Sequence, residues 1–308
     1  MRRRKVRIAY ETTYGTAYYG TAENVLGDPW FQRRYAGKVQ LIFTSPPFPL
    51  NRKKKYGNLQ GQEYVKWLAD FAPRFRELLT ADGSIVMELG NAWEHGAPTM
   101  STLALKALIA FQEEGKLQLC QQFICHNPAR LPGPAQWVTV ERIRVKDTYT
   151  HVWWMSPTAN PAADNRQVLT EYSPSMLKLL KTKKYNAGIR PSEHSIGDES
   201  FLKDNNGAIP ANVLTMANTK ANDPFQVYCR KHGLKGHPAR MPAGLPEFFV
   251  KFLTKPGDIV LDPFGGSNTT GAVAQKLKRK WAAIEPVPEY IEASRARFAA
   301  LRMLEPAR

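Results

Sequence analysis

The sequence predicts an α/β fold: a mostly parallel sheet with helices on both faces. Two observations carry this prediction. A strand–helix–strand pattern reads over residues 38–89 and another over 258–304, and a polar, aperiodic stretch at 156–236 lies between them. Strands alternating with helices build parallel sheets, because a parallel connection needs a crossover long enough to hold a helix.

In the first block, Lys38-Val39-Gln40-Leu41-Ile42-Phe43 has the β-branched and aromatic content of a buried strand. It stops at Thr44-Ser45-Pro46-Pro47-Phe48, since consecutive prolines donate nothing to a ladder and the chain must leave the sheet. Over 63–79, the apolar residues Val65, Leu68, Phe71, Phe75, Leu78 and Leu79 recur near the helical period and predict one helix. Asp82-Gly83 then turns the chain into a strand, Ser84-Ile85-Val86-Met87-Glu88-Leu89. In the second block, Asp258-Ile259-Val260-Leu261 reads as a strand, Gly265-Gly266 as a turn and 268–277 as a helix. Trp281-Ala282-Ala283-Ile284-Glu285 is the next strand, and 290–304 the closing helix. The polar stretch predicts an inserted module, dividing the chain into 1–155, 156–236 and 237–308.

The chain has 308 residues, enough for one large α/β domain with an insert. Its 43 lysines and arginines outnumber 27 aspartates and glutamates, leaving a net charge of +16. Such an excess favours a polyanion, because each neutralised phosphate releases condensed counterions. It supports a nucleic-acid partner without choosing an activity. The cysteines, Cys120, Cys125 and Cys229, have neither zinc-knuckle nor dithiol spacing and read as reduced thiols. His126 and His151 have no metal-ligating company, so no metal is expected. No apolar run approaches the ~18 residues of a membrane helix, and Arg2-Arg3-Arg4-Lys5 is not followed by the apolar core of a secretory leader. The expectation is a cytoplasmic protein with no membrane partner.

Two motifs carry chemistry. In Leu261-Asp262-Pro263-Phe264-Gly265-Gly266-Ser267-Asn268-Thr269-Thr270-Gly271, a strand, a tight turn and a helix start succeed one another. Glycine lets a ligand approach the backbone, and the start of a helix offers free N–H groups. The spacing is neither that of a dinucleotide fingerprint nor that of a Walker loop. Glu285, ending the next strand, suits the ribose hydroxyls of an adenosine group; an ordinary turn with an incidental glutamate fits the same residues.

The second motif is Ser45-Pro46-Pro47-Phe48. Methylating an exocyclic amine is difficult because the nitrogen lone pair is delocalised into the ring. Acceptors for the amino hydrogens favour the pyramidal, nucleophilic nitrogen, and the Ser45 hydroxyl and Pro46 carbonyl are two such acceptors. The prolines fix that geometry in advance. Phe48 offers a face on which an extruded base can stack, and a π-cloud for the positive charge growing on nitrogen. A plain proline-rich loop is the alternative reading.

Together these motifs resemble the amino DNA methyltransferases of restriction–modification systems, in the β-class order that puts the catalytic motif before the target recognition region and the cofactor motif after it. Within that family the chain is most similar to the PvuII-type cytosine-N4-specific enzymes. The likeness extends through Arg52-Lys53-Lys54-Lys55-Tyr56-Gly57-Asn58-Leu59, Arg142-Ile143-Arg144-Val145-Lys146-Asp147, Val152-Trp153-Trp154, Lys203-Asp204-Asn205-Asn206-Gly207-Ala208-Ile209-Pro210 and His237-Pro238-Ala239-Arg240. The resemblance implies a circularly permuted, Rossmann-like methyltransferase dependent on S-adenosyl-L-methionine, with the insert as target recognition module. It implies a cofactor pocket of Asp262, Phe264, Gly265, Gly266, Ser267, Asn268, Thr269 and Glu285, entered by His237 and Pro238. It makes Ser45, Pro46, Pro47 and Phe48 the catalytic loop. Serine in the first position points to cytosine N4, where adenine-N6 members more often carry Asp or Asn. The family's aspartate at the end of the second strand is here Glu88, one methylene longer, which reads either as a proton sink beside Ser45 or as a strand-end residue.

Double-stranded DNA is the implied partner, with a short palindromic target such as CAGCTG and a companion restriction endonuclease acting on the same site. Both a monomer and a homodimer fit. Arg52, Lys53, Lys54 and Lys55 follow the catalytic loop and suit phosphate contact, or a solvated charge run. Lys178, Lys181, Lys183 and Lys184 carry the same two readings. His194, Ser195, Asn205, Asn206 and Asn212 suit base edges or turns. Trp153-Trp154 is expected in the core. Adenine-N6 methylation, methylation of protein glutamine amides and a non-catalytic DNA-binding module remain the alternatives.

Overall fold

The computed structural model describes residues 6–48, 59, 61–184, 188–189, 191–193, 195–197, 199, 201–217, 224–234 and 241–298. The chain divides into two compact units, Met1–Ala163 with Asn212–Arg308, and Asp164–Ala211.

The larger unit opens with an antiparallel hairpin of β1 (Arg7–Glu11) and β2 (Gly15–Tyr19). Two short helices follow, α1 (Ala22–Leu26) and α2 (Pro29–Tyr35). Thr21 caps the first by accepting from the Asn24 amide and Asp28 caps the second by accepting from the Trp30 amide. β3 (Val39–Thr44), α3 (Gly61–Ala69), α4 (Ala72–Leu78) and β4 (Leu79–Gly90) form the first strand–helix–strand block. The single helix expected over 63–79 is therefore two. Pro73, in the first turn of α4, lacks an amide and its ring clashes with the carbonyl one turn back, so α3 cannot continue through it.

α5 (Leu103–Gly115), β5 (Gln118–His126) and β6 (Tyr149–Ser156) complete this half of the larger unit. The smaller unit holds α6 (Pro174–Thr182) and the antiparallel pair β7 (Gly188–Ile189) and β8 (Ser195–Ile196). After it come β9 (Val213–Thr215), α7 (Pro224–Lys231), α8 (Gly244–Leu253), β10 (Ile259–Asp262), α9 (Thr269–Lys276), β11 (Lys280–Glu285) and α10 (Pro288–Ser294).

As a compact unit the insert is narrower than the 156–236 expected from composition, at Asp164–Ala211. Polar content misplaced its end, because β9 pairs with β5 in the large sheet and Phe225 and Cys229 of α7 pack with Ala293 of α10 and with Ala296 just beyond it.

Among the described residues the large sheet has nine strands in the order β1-β2-β11-β10-β3-β4-β6-β5-β9. The run β2, β11, β10, β3, β4 is parallel, and β6 lies antiparallel between β4 and β5. Side chains of β3 alternate between faces: Ile42 joins the core formed with α1 to α5, whereas Leu41 and Phe43 join that formed with α8 and α9. All three are fully buried, as a central parallel strand covered on both faces requires. Trp153 and Trp154 are buried on opposite faces. No helix among the described residues is long and apolar enough to cross a membrane.

This order fixes where a ligand can enter. The helix after β10 lies on one face and leads outward to β11, while those after β3 lie on the other and lead to β4. The chain thus diverges between the adjacent strands β10 and β3, and a crevice opens at their carboxyl ends.

Candidate active site

Both sequence motifs leave the sheet at that crevice, and a side-chain hydrogen bond joins them. The hydroxyl of Thr44, last residue of β3, donates to Oδ1 of Asp262, last residue of β10, at 2.9 Å. The same oxygen accepts from the Phe264 amide at 3.1 Å, and Oδ2 accepts from the Thr270 hydroxyl at 2.7 Å. Asp262 is thus a buried hub with three donors, reaching back to β3 and forward to α9. Burial pushes its carboxyl up to about 6, against the pull of those donors.

The glycine turn is built around two contacts to β11. The Gly265 amide donates to the Ile284 carbonyl at 2.8 Å, and the Gly266 amide donates to Oε2 of Glu285 at 2.8 Å. Gly266 has φ +52°, a left-handed conformation in which a side chain would be strained. Oε1 of Glu285 accepts from the Val287 amide at 2.9 Å. Burial raises the Glu285 carboxyl to about 7; the charge of Asp262 adds to the rise and the two amides oppose it.

Ser267, Asn268 and Thr269 turn their side chains into the structure. Asn268 caps α9 by accepting from the Gly271 amide at 3.1 Å, and its Nδ2 donates to the Tyr10 hydroxyl at 3.0 Å. Arg297 donates to both the carbonyl and the hydroxyl of Ser267, at 2.7 and 3.0 Å. Tyr10 also bonds Ser294 at 2.6 Å, so β1 and α10 clamp the turn from both ends of the chain. Phe264 is half-buried against Trp67 and Phe71 of the segment between β3 and β4, with ring centroids at 5.7 and 5.4 Å. Tyr10, Arg297, Trp67 and Phe71 escaped the sequence reading. The helical spacing of Phe71 marked it only as core.

In the other motif, Ser45 neighbours the Glu88 carboxylate and favours its charged form. Thr150 of β6 donates to Oε1 of Glu88 at 2.9 Å. Burial raises the Glu88 carboxyl, opposed by these two residues and by the charge of Arg130. Cys125, beside Glu88, is pushed up to about 11 by burial and by that carboxylate, and stays a thiol. Pro46 is buried, and the ring of Phe48 lies on Gly90, where a Cβ would come within 2.5 Å of two ring atoms. The structure therefore brings together Ser45, Pro46, Pro47, Phe48 and Glu88 on one side of the crevice. On the other side are Asp262, Phe264, Gly265, Gly266 and Glu285.

His237, Pro238 and the basic run Arg52, Lys53, Lys54 and Lys55 lie outside the described residues, as does His194. Asn205 and Asn206 build a turn: their amides donate to the Tyr172 hydroxyl and to Oδ1 of Asp204, which also accepts from Tyr172. Asn212 donates to the Gln122 carbonyl at the sheet.

A family model described as DNA methylase matches residues 39–296. The chain belongs to the DNA methylase family. Among individual methylases, it is 44% identical to the type II methyltransferase M.PvuII of Proteus hauseri over 292 residues, 94% of this chain and 85% of that one. A solved structure of the PvuII DNA methyltransferase (cytosine-N4-specific) superposes with a TM-score of 0.75 at 38% identity, covering 96% of this chain and 89% of that one. The M1.HpyAVI–SAM complex, at 20% identity and a TM-score of 0.53, covers 92% of this methylase and 98% of its own chain, and shares the fold.

Proposed function

We propose that this chain is a site-specific DNA methyltransferase that carries a methyl group from S-adenosyl-L-methionine to the N4 amino group of a flipped-out cytosine in duplex DNA, as the modification half of a restriction–modification system. The observation carrying this reading is the Thr44–Asp262 bond, which joins an amine-accepting loop to an adenosine-suited turn at one crevice. The likeness to the solved cytosine-N4-specific PvuII methyltransferase supports cytosine N4 over adenine N6, as does Ser45 at the first motif position. A restriction endonuclease with the same target is the expected companion, and the cytoplasm the expected compartment. The unit Asp164–Ala211 is the proposed target recognition module.

The residues fit the cofactor. Glu285 presents a half-buried carboxylate for ribose hydroxyls, Gly266 keeps the backbone open beside it, and Phe264 supplies an aromatic wall. When bound, S-adenosylmethionine supplies a methyl group on a sulfonium. Ser45 spends its proton on Glu88, so its oxygen lone pairs remain to accept from the cytosine amino group, together with the Pro46 carbonyl. The methylated amine then sheds a proton, and Glu88, raised by burial, is placed to take it through Ser45. Phe48, seated on Gly90, stacks on the base.

Purified protein, duplex DNA and labelled cofactor, followed by nucleoside digestion and mass identification, test the reading. N4-methylcytosine is the expected product; N6-methyladenine would overturn the base assignment, and no labelled DNA would overturn the function.

Two further results are expected. Cofactor affinity should weaken about tenfold between pH 8 and pH 6, because Glu285 must lose its proton to accept from the ribose and its carboxyl titrates at about 7. Calorimetric Kd values across that window check it, and a profile just as steep in Glu285→Gln would assign the titration elsewhere. Gly90→Ala should push Phe48 out of place and lower kcat/KM by at least about fivefold, the weaker end of aromatic–base stacking, with cofactor Kd unchanged.

A further inference from the structure

The connection between β5 and β6, residues 127–148, stands at the crevice end of the sheet and no role assigned above uses it. It is internally stapled. The Asn127 amide donates to the Thr148 carbonyl at 2.7 Å and the Asp147 amide to the Gly133 carbonyl at 3.0 Å. The Trp137 carbonyl accepts from the amides of Ile143 and Arg144. Its base abuts the catalytic loop: Asn91, next after Gly90, donates to Asp147 at 2.9 Å, and the charge of Arg130 acts on Glu88.

This fixed loop holds the two most exposed large hydrophobic side chains among the described residues, Val145 at 86% and Leu131 at 84%. Packing does not account for them, since they touch water rather than the core. Two cations flank Val145 in the sequence. Arg142 is exposed without a partner among the described residues, and Lys146 bonds only the Pro128 carbonyl, at 3.2 Å, so its charge is unpaired. Exposed apolar side chains and unpaired cations on one loop, beside a site that must extract a base, match duplex DNA with one nucleotide missing from its stack. The vacancy is walled above and below by the apolar faces of the neighbouring bases, the orphaned guanine edge lies at its side, and its rims are phosphates.

Resting on the methyltransferase reading, we propose that the 127–148 loop holds the duplex open. Leu131 and Val145 fill the space vacated by the target cytosine, and Arg142 and Lys146 grip the flanking phosphates.

The test uses full-length protein and a duplex carrying the cytosine mapped in the product assay, paired normally or set opposite an abasic site that lowers the cost of extrusion. The Leu131→Ala/Val145→Ala double variant should lose at least about tenfold in kcat/KM on the paired duplex and recover most of it on the abasic one. Its cofactor Kd and Tm should match wild type, because both side chains are solvent-exposed. Arg142→Ala should reduce the slope of log Kd against log salt by about one.

Equal loss on both duplexes, or none on either, would overturn the wedge. So would a wild-type dimer in sedimentation that the double variant breaks, since the apolar tips would then meet a second copy of the chain. If the variant fails and wild type methylates normally, only the loop's role is lost; wild type that labels no DNA removes the functional reading and the loop's role together.

Discussion

Ser45→Ala is expected to lower kcat by about 10²–10³-fold while cofactor Kd stays within twofold of wild type, roughly the cost of deleting one preorganised polar group facing the reacting atoms. The serine is engaged at both ends. In the proposed mechanism its proton goes to Glu88, which Thr150 also holds, and its lone pairs remain for the amine. Alanine removes the acceptor and leaves the Glu88 carboxylate one donor short. The cofactor side of the crevice touches none of these atoms, so the loss should lie in the chemical step and not in binding. Single-turnover methylation with saturating cofactor measures it directly. A kcat within threefold of wild type would show that the Pro46 carbonyl alone suffices and that Ser45 is a spectator.

The second large effect is expected at Asp262. Asp262→Ala strands the hydroxyls of Thr44 and Thr270 and the amide of Phe264, at about 1–3 kcal/mol for each buried unsatisfied donor. Relief of a buried carboxylate offsets part of this, leaving a net loss of about 3–5 kcal/mol in urea unfolding, together with loss of cofactor binding. Asp262→Asn keeps the shape and one acceptor and should cost much less. The two variants also differ in pH dependence. The carboxyl sits at about 6 in the fold against an ordinary 3.8, so the native state prefers it protonated. Its contribution to stability is complete below pH 3.8 and disappears as pH rises through 6. Asparagine removes that part of the decline. A pH–stability curve for Asp262→Asn that parallels wild type between pH 4 and 6 would place the titrating group elsewhere.

Both strand–helix–strand blocks could be read from the sequence because their strands are doubly buried and end in unmistakable punctuation, Pro46-Pro47 and Gly265-Gly266. The resemblance added which loops belong to one site. The Thr44–Asp262 bond could not be read, since nothing local marks a threonine 218 residues away as the partner of an aspartate. The hairpin of β1 and β2 was silent because Thr12, Thr13 and Tyr14 make its turn without the Asn-Gly or Asp-Gly signal. The asparagines of the insert fit turns more often than base edges, and Asn205 and Asn206 are occupied by a turn. In the sequence Phe48 offers only its ring. Gly90, the residue that seats it, was invisible because its importance lies in the side chain it lacks.

The pairing of β2 with β11, which sets Gly15 beside Trp281, has a consequence for how the protein is made. A ribosome working at about 5–20 residues per second delivers the second strand on the order of tens of seconds after the first. During that interval the nascent chain carries the Ser-Pro-Pro-Phe loop but neither Asp262 nor Glu285, and its central sheet is open along the β3 edge. Premature release therefore yields fragments unable to modify anything. Under the proposed function, the time to synthesise one chain sets the minimum delay before newly acquired DNA can be methylated.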